Sequence, residues 1–497
     1  MADDIQDRAV AGTFLFRFPN DDVTQPPKIA LFRRSDKVST YPNKYSLVSG
    51  SIESSDPSPL AAALRELHEE TALAPPSVRL FRTGKPYSFV DPSVRRHWTI
   101  NPFAFLLTSA AGPIAIDWEH DSYTWFQPQD VVDNEDVFVP RLRESLRRVW
   151  FDFDLGPDAA AALTRGLKAL QDDHESGARQ LASKAVRVFI DVIARLDQSS
   201  QQTWWFNVRL AAWHLWKNGR EAMGASILSA MLTSLSIIEA RLPPATSDAL
   251  PQGFSDDVLA GIKHFSEERH DVSSRVASSF AAFIRDTFPN QTTLKILTLS
   301  YSSTISASLQ NLAQQPSTLT LDIRVLESRP LFEGVALART IADTIALNTP
   351  HSPSRVTVYT DACAAVAASD VDMVLIGADL LDRDGRVSNK TGSLPAVLAA
   401  RHVSPRARIV ALADRDKVLP FDPPLHAEEN DPRELVEAWG RPRNSPGRVA
   451  VRNVYFEWVP ENLVDSYVTE EGVMSTEGIQ QWADHLRKRA DGFFTDL

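Results

Sequence analysis

Cysteine is almost absent: Cys363 stands alone in 497 residues. That excludes an intramolecular disulfide framework and any multi-cysteine zinc site, and it fits a reducing compartment. Long apolar runs are missing too. The most apolar stretch, GASILSAMLTSLSII at 224–238, is short and studded with hydroxyls. A membrane span needs about 20 predominantly apolar residues, so this stretch predicts a buried helix. The opening segment MADDIQDRAV is acidic and has no apolar core, so it predicts no secretory signal. Positive charge is in deficit, with 52 Lys and Arg against 64 Asp and Glu, and the chain lacks the global footprint of a nucleic-acid binder. The short basic stretches RPRNSPGR (441–448) and HLRKRA (485–490) carry no interleaved aromatics and read as solvated surface. No GXGXXG, P-loop, HEXXH or GXSXG pattern occurs. Together these absences predict a soluble, cytoplasmic protein with neither membrane nor nucleic acid as partner.

What is present is ordinary globular composition, 43% hydrophobic and 23% charged, which rules out a wholly disordered or collagenous chain. At roughly 150 residues per unit, the length suggests about three folding units. Residues 10–150 are rich in short strand-like runs (GTFLFRF, KIALFRR, YSLVSG, NPFAFLL) with one clear helix at 58–72, an α+β pattern. FDFDLGPD (151–158) marks a boundary. From 158 to 290 apolar residues recur at three- and four-residue spacing, predicting a helical subdomain, with PPATSDALPQG (243–253) as a loop between helices. From 291 to 490 apolar strands (KILTLSY, LDIRVLE, RVTVYT, MVLIGA, RIVALA) alternate with helices such as FEGVALARTIADTIAL and LPAVLAARHV. That alternation predicts a Rossmann-like parallel sheet covered on both faces, with ligands outside the carboxyl ends of its strands.

The most informative local signal is GSIESSDPSPLAAALRELHEETAL (50–73). Leu60, Leu64, Leu67 and Thr71 mark a buried stripe. Glu66, Glu69 and Glu70 stand at i, i+3 and i+4, so their carboxylates project together from a neighbouring face. Like charges at that spacing repel and raise one another's pKa unless a cation intervenes. A hard divalent ion such as Mg²⁺, with Mn²⁺ as the alternative, relieves the repulsion through oxygen ligands and can bridge to a diphosphate. Arg65 is placed to pair with one carboxylate and hold it. The same triplet also suits a merely solvated helix face.

This segment resembles the signature of the Nudix hydrolase family, a glycine, a spaced acid, then R-E-apolar-X-E-E-X-G-apolar. Arg65, Glu66, Leu67, Glu69, Glu70 and Leu73 fall on it, and the likeness spans roughly 10–135. The resemblance implies metal-dependent hydrolysis of a nucleoside diphosphate linked to another group. Arg65, Glu66, Glu69 and Glu70 would then be the catalytic set, with the three glutamates as metal ligands. Three departures stand out: Ala72 replaces the second glycine, the gap from Gly50 to Arg65 is one residue longer, and Asp56 is the nearest candidate for the spaced glutamate.

The C-terminal half carries a second constellation at strand ends. Asp379 follows the strand MVLIGA, and Asn389-Lys390-Thr391-Gly392 precedes a helix, a natural phosphate cradle. Arg329 follows LDIRVLE, where a guanidinium could bind phosphate bidentately. ILTLSYSS, ESRPLFEG, IGADLL, NKTG and VPENLVDSYVTEEGV (459–473), after DHESGARQLASKAV (173–186) and NGREAM (218–223), resemble, in order, the family of translation initiation factor 2B alpha, beta and delta subunits, methylthioribose-1-phosphate isomerase and ribose-1,5-bisphosphate isomerase. That likeness implies binding of a nucleotide or sugar phosphate by Arg220, Ser300, Arg329, Asp379, Asn389 and Lys390, and a homodimer through the C-terminal domain. Ser300 occupies the position of the isomerases' catalytic cysteine, and a serine hydroxyl is far less acidic than a thiol. The expected function is thus a Mg²⁺-dependent Nudix-type hydrolase fused to an initiation-factor-2B-like ligand-binding domain. The alternatives are a non-catalytic regulatory or assembly protein and an aldose–ketose isomerase acting on a phosphorylated ribose. Cys363 is expected to be a buried structural residue, and Trp204, Trp205, Trp213 and Trp216 are expected to pack in a core.

Overall fold

Strand β1 (Gln6–Arg17) organises the N-terminal unit because most of its length is apolar and buried on both faces. The computed structural model describes residues 5–109, 111–174, 176–244, 249–315, 319–348, 351–423, 428–439 and 449–497. Around β1 lie β2 (Lys28–Arg34), β3 (Tyr45–Ser46), β4 (Val48–Ser51), β5 (Val78–Thr83), β6 (Tyr87–Asp91), β7 (Arg96–Leu107) and β8 (His120–Phe126). The sheet runs β3-β2-β1-β7-β5, with β4 on β1, β6 on β7 and β8 on β2. Only the β1–β7 pair is parallel within it.

Helix α1 (Pro59–Thr71) covers one face, packing Ala62, Ala63 and Leu67 on Ala11, Leu15 and Phe105. Helix α2 (Leu142–Arg147) covers the other, over Phe14, Phe16 and Leu106. The predicted leucine stripe is narrower than expected. Leu67 and Thr71 are fully buried, while Leu60 and Leu64 are half-buried.

Both ends of α1 are readable in chemistry. Ser58 accepts a hydrogen bond from the Ala61 N–H at 3.1 Å and Pro59 opens the first turn. At the other end Ala72 is left-handed (φ 56°), where the family pattern has a glycine. A β-carbon in that conformation costs about 1–2 kcal/mol, which is the physical reason a glycine is the usual choice there.

A helical region follows: α3 (Asp152–Leu155), α4 (Pro157–Gln171), α5 (Ala178–Ile193), α6 (Gln201–Asn218), α7 (Gly224–Glu239), α8 (Phe254–Glu268) and α9 (Val272–Thr287). The segment Glu221–Glu239, which holds α7, is apolar and long enough to cross a bilayer, but 72% of it is buried inside the protein. Trp204, Trp213 and Trp216 are buried in this core and Trp205 packs against it. Part of the expected 243–253 loop, and all of 441–448, lie outside the described residues.

The C-terminal region alternates β9 (Thr293–Leu299), α10 (Ser303–Gln314), β10 (Thr320–Leu326), α11 (Glu333–Asn348), β11 (Arg355–Tyr359), α12 (Ala364–Ala367) and β12 (Met373–Ile376). There follow β13 (Leu380–Leu381), β14 (Val387–Lys390), α13 (Ser393–Val403), β15 (Arg408–Leu412), β16 (Glu429–Asn430), α14 (Pro432–Ala438), β17 (Asn453–Val454), β18 (Phe456–Val459), β19 (Ser466–Thr469), β20 (Gly472–Met474) and α15 (Thr476–Phe494). The main sheet runs β11-β10-β9-β12-β15-β19-β20, parallel except for β19–β20. Its order reverses between β9 and β12, which opens a crevice at their carboxyl ends. β13, β14 and β18 form a small antiparallel sheet beside it. Cys363 departs from expectation: it sits half-buried in a 3-10 turn beside Thr360.

The two halves are joined by polar contacts. The Asn218 side chain accepts from the Thr83 N–H at 2.6 Å and donates to the Thr83 carbonyl at 2.9 Å, acting as an extra rung on edge strand β5. Arg82, fully buried, donates to the Val149 carbonyl (2.9 Å) and the Thr164 hydroxyl (2.6 Å) and lies 3.7 Å over the Phe151 ring. Burial pushes its pKa down to about 9.

Beneath them His214 is wholly buried against Phe151, its Nδ1 bonded to Asn218 at 2.9 Å. Burial, then Arg82 and Arg148, hold it far below the ordinary imidazole range. Its folded pKa is depressed, so its contribution to stability is complete above about pH 6.5 and declines as pH falls, by up to about 1.4 kcal/mol per unit. Urea unfolding of wild type and His214→Leu from pH 7.5 to 5 should show the wild type losing more stability. Parallel losses would contradict this.

Candidate active site and ligand crevice

On α1, the side chains at 65, 66, 69 and 70 separate into two inward and one outward carboxylate around an arginine. Arg65 forks onto Asp56, with Nε at 3.1 Å from one oxygen and Nη2 at 2.9 Å from the other. Its Nη1 donates to Glu66 at 2.7 Å and Glu69 at 3.2 Å, and Nη2 also donates to the Ser51 carbonyl at 3.0 Å. Arg65 is therefore a clamp tying the loop after β4 to the helix. Asp56, chiefly through Arg65, is held below the usual carboxylate range, and Arg65 is raised in turn.

Glu70 is buried, its side chain 5% exposed, whereas Glu69 is 56% exposed. Glu70 accepts the Ser49 N–H at 3.1 Å. Burial first, then repulsion from Glu119, Glu66 and Asp117, pushes its pKa well above the ordinary value. Glu66 is raised by burial against the opposing pull of Arg65. Its carboxylate fills the space a side chain at Gly50 would take, since a β-carbon there would lie 1.9 Å from Glu66 Cδ. The structure thus brings Glu66 and Glu70 together under β4 and leaves Glu69 at the surface. Among the described residues no three acidic, histidine or cysteine side chains converge on one point, so the expected three-glutamate cage is not preformed.

The donors nevertheless suit Mg²⁺. Two neighbouring carboxylates, oxygen ligands only, match an ion that is held by one or two carboxylates and keeps several waters. Repulsion from Glu119 and Glu66 adds to the rise of Glu70, and repulsion from Glu69 and Glu119 to that of Glu66, and a cation would relieve both.

Sequence reasoning did not find Arg34, Glu119, Asp117 or His120, which come from β2 and the approach to β8. Half-buried Arg34 feels Glu119 and Glu70, and its pKa is lowered by burial. His120 is buried beside Phe32 with Nδ1 3.5 Å from Glu70, and burial first, then Arg34, brings its pKa down to about 4. None of them lies within the helical motif, so only the sheet register reveals them.

The crevice of the parallel sheet gathers part of the second set. Ser300 follows β9 in a left-handed conformation (φ 59°), its N–H donating to Ser328 Oγ at 2.7 Å. Asp379 follows β12, its N–H donating to the Ser388 carbonyl at 2.8 Å. Burial raises it while Lys417, Lys390 and Arg220 oppose the rise. Asn389 is buried and donates to Ser393 Oγ at 2.9 Å.

The cations expected to meet phosphate are paired internally. Arg220 donates to Glu428 at 2.6 and 3.1 Å and to the Asp173 carbonyl at 2.6 Å. Lys390 pairs with Glu333 at 2.7 Å and sits 4.1 Å over Tyr455. Arg329 stands apart at the surface, donating to Glu327 at 3.0 Å. Lys417, Glu333 and Glu428 were invisible from sequence because they arrive from distant segments.

Arg65→Lys keeps the charge but cannot hold Asp56 and Glu66 at once. It should lower unfolding stability by about 1–2 kcal/mol. The control Arg143→Lys, at an exposed pair 3.9 Å from Asp133, should leave it unchanged in the same urea titration.

A family model described as "Initiation factor 2 subunit family" matches residues 174–476, and one described as "NUDIX domain" matches 11–149. Methylthioribose-1-phosphate isomerase of Desulforamulus reducens is 33% identical over 165 residues, 33% of this chain and 44% of the relative. A probable bifunctional methylthioribose-1-phosphate isomerase/methylthioribulose-1-phosphate dehydratase of Nocardia farcinica is 34% identical over 154 residues, 31% of this chain and 27% of the relative. The chain spans less than half the length of these curated relatives. Among solved structures, the Pyrococcus horikoshii OT3 translation initiation factor eIF-2B is 22% identical, covering 63% of this chain and 96% of its own, with a TM-score of 0.44. The eIF2B beta structure from Chaetomium thermophilum is 16% identical, covering 67% and 93%, with a TM-score of 0.47. The chain belongs to the initiation factor 2 subunit family and carries a NUDIX domain ahead of that region.

Proposed function

We propose that the N-terminal domain is a Mg²⁺-dependent phosphoanhydride hydrolase acting on a nucleoside diphosphate linked to another group. The observation that carries this reading is the placement of Glu66 and Glu70, packed under Gly50 and Ser49, with Glu66 held by the Arg65–Asp56 clamp. Glu66 and Glu70 would hold the ion, and Arg65 positions Glu66. When bound, the ion supplies positive charge that polarises a phosphoryl oxygen and acidifies water. Water adds to one phosphorus, the bridging P–O bond breaks, and the proton released passes to a carboxylate.

The C-terminal region, in this reading, is a Rossmann-like ligand domain that takes a sugar phosphate or nucleotide between Ser300, Asp379, Asn389 and Lys390. The folding units are 10–150, 158–290 and 291–490, the oligomer is a homodimer through the last of them, and the compartment is the cytoplasm. A second reading, aldose–ketose isomerisation of a phosphorylated ribose, is favoured by Asp379 among three cations and by the names of the curated relatives. It is opposed by Ser300, whose hydroxyl is a poor substitute for a thiolate.

The test is a Mg²⁺-dependent screen of the full chain against nucleoside-diphosphate and sugar-phosphate libraries. Glu70→Gln and Glu66→Gln should each lower turnover by roughly 10²-fold or more with folding intact. Unchanged turnover in both variants would refute the hydrolase. Aldose-to-ketose conversion by the wild type would establish the second reading.

A further inference from the structure

Arg34 is fixed in position, yet its guanidinium carries no carboxylate. Strand β2 ends on it, and the pairing of β2 with β8 slips there: Arg33 faces Ser122 while Arg34 faces His120. A bulge of this kind turns a side chain out of the alternation of a regular strand. Three hydrogen bonds then hold the residue. Its N–H donates to the Lys44 carbonyl at 3.0 Å, its carbonyl accepts the Asn43 N–H at 3.0 Å, and its Nε donates to the Thr40 carbonyl at 3.0 Å. The two terminal nitrogens are left over. Among the described residues no carboxylate pairs with them and no protein acceptor takes their hydrogens.

The half-buried guanidinium lines a cleft of about 350 Å³ that also exposes Ser49, Gly50 and Ser51 of β4. That is the strand against which the carboxylates pack, Glu70 on the Ser49 N–H and Glu66 beneath Gly50. The acids whose charge Arg34 feels are Glu119 and Glu70, so it stands beside the candidate cation site without being neutralised by it. A guanidinium keeps its charge in such a place, and shielding its donors from water is costly unless another group supplies acceptors. Its flat fork matches two oxygens of one oxyanion, and a diphosphate is the oxyanion that the neighbouring cation would draw in.

Resting on the hydrolase reading, we infer that Arg34 is a catalytic residue that grips the diphosphate, its terminal nitrogens donating to non-bridging phosphoryl oxygens beside the cation at Glu66 and Glu70. It offsets the charge that builds on those oxygens as the bridging P–O bond breaks. The contact lies outside the helical motif and does not depend on what the diphosphate is esterified to.

The test titrates imidodiphosphate, a pyrophosphate analogue with a P–N–P bridge, into the full chain with Mg²⁺ by calorimetry. Wild type is compared with Arg34→Met and with Arg96→Met, since Arg96 lines the same cleft but donates only to the Arg95 carbonyl at 3.3 Å. Wild type should bind. Arg34→Met should weaken binding about tenfold or more, and Arg96→Met should change it by less than about twofold. Thermal unfolding establishes that each variant is folded, and Mn²⁺ binding should be the same in Arg34→Met as in wild type. Equal affinity in wild type and Arg34→Met would overturn the inference, and so would equal losses in the two variants, which read net charge alone. A folded wild type that does not bind, or an Arg34→Met chain that no longer holds Mn²⁺, would overturn it as well. In any of these cases Mg²⁺-dependent cleavage of a nucleoside-diphosphate ester by the wild type, abolished by Glu70→Gln, would leave the hydrolase standing without this contact. A loss confined to Arg34→Met, with no hydrolysis of any substrate by the wild type, would support the grip while ending the hydrolase reading.

Discussion

The N-terminal site depends on one guanidinium. Arg65 meets Asp56 through two hydrogen bonds, Glu66 through a third, Glu69 through a fourth and the Ser51 carbonyl through a fifth. Such a planar fork fixes direction as well as distance, which a lysine ammonium cannot do. It pins the loop leaving β4 to the first half of α1 and sets where Glu66 points. Glu70, one turn on, is then driven beneath Ser49. Glu66 keeps Arg65 as its partner and Glu70 is buried against the Ser49 N–H, and for both carboxylates burial disfavours ionisation. A divalent cation is the simplest group that reverses that penalty.

The second half of the chain manages charge differently. Its crevice at the reversal of strand order collects Asp379, Lys390, Lys417 and Arg220, but acidic side chains from remote segments already engage two of the cations. Glu428 comes from the segment leading into β16, and Glu333 opens α11. An anionic ligand entering there must displace a carboxylate from Arg220 or share it. Asn218, which pairs with the backbone of Thr83, lies two residues before Arg220.

Much of the fold was legible because its periods are unambiguous. The strands KIALFRR, LDIRVLE, RVTVYT and MVLIGA and the helix at 58–72 stand within a few residues of their predicted places. Arg65 and the glutamates were legible because helical spacing alone places them together. Spacing could not tell that Glu70 would be buried and Glu69 exposed, since that depends on where β4 crosses the helix. Arg34, Glu119 and His120 were hidden because they meet α1 only through the sheet. Arg329, a strand-end arginine expected to meet phosphate, donates to Glu327 two residues earlier. Cys363 was placed in a core by its alanine-rich surroundings, but the turn that carries it lies nearer the surface.

The central claim is that Glu66 and Glu70 together create a divalent-cation site. Electron paramagnetic resonance of Mn²⁺ titrated into the full chain reads this directly, because bound ion loses the free-ion signal. The account predicts a saturable site in the wild type, competed by Mg²⁺, and its loss in the folded Glu66→Gln, Glu70→Gln double variant. A wild-type chain that leaves the Mn²⁺ signal unchanged, or a double variant that binds as tightly, would contradict it.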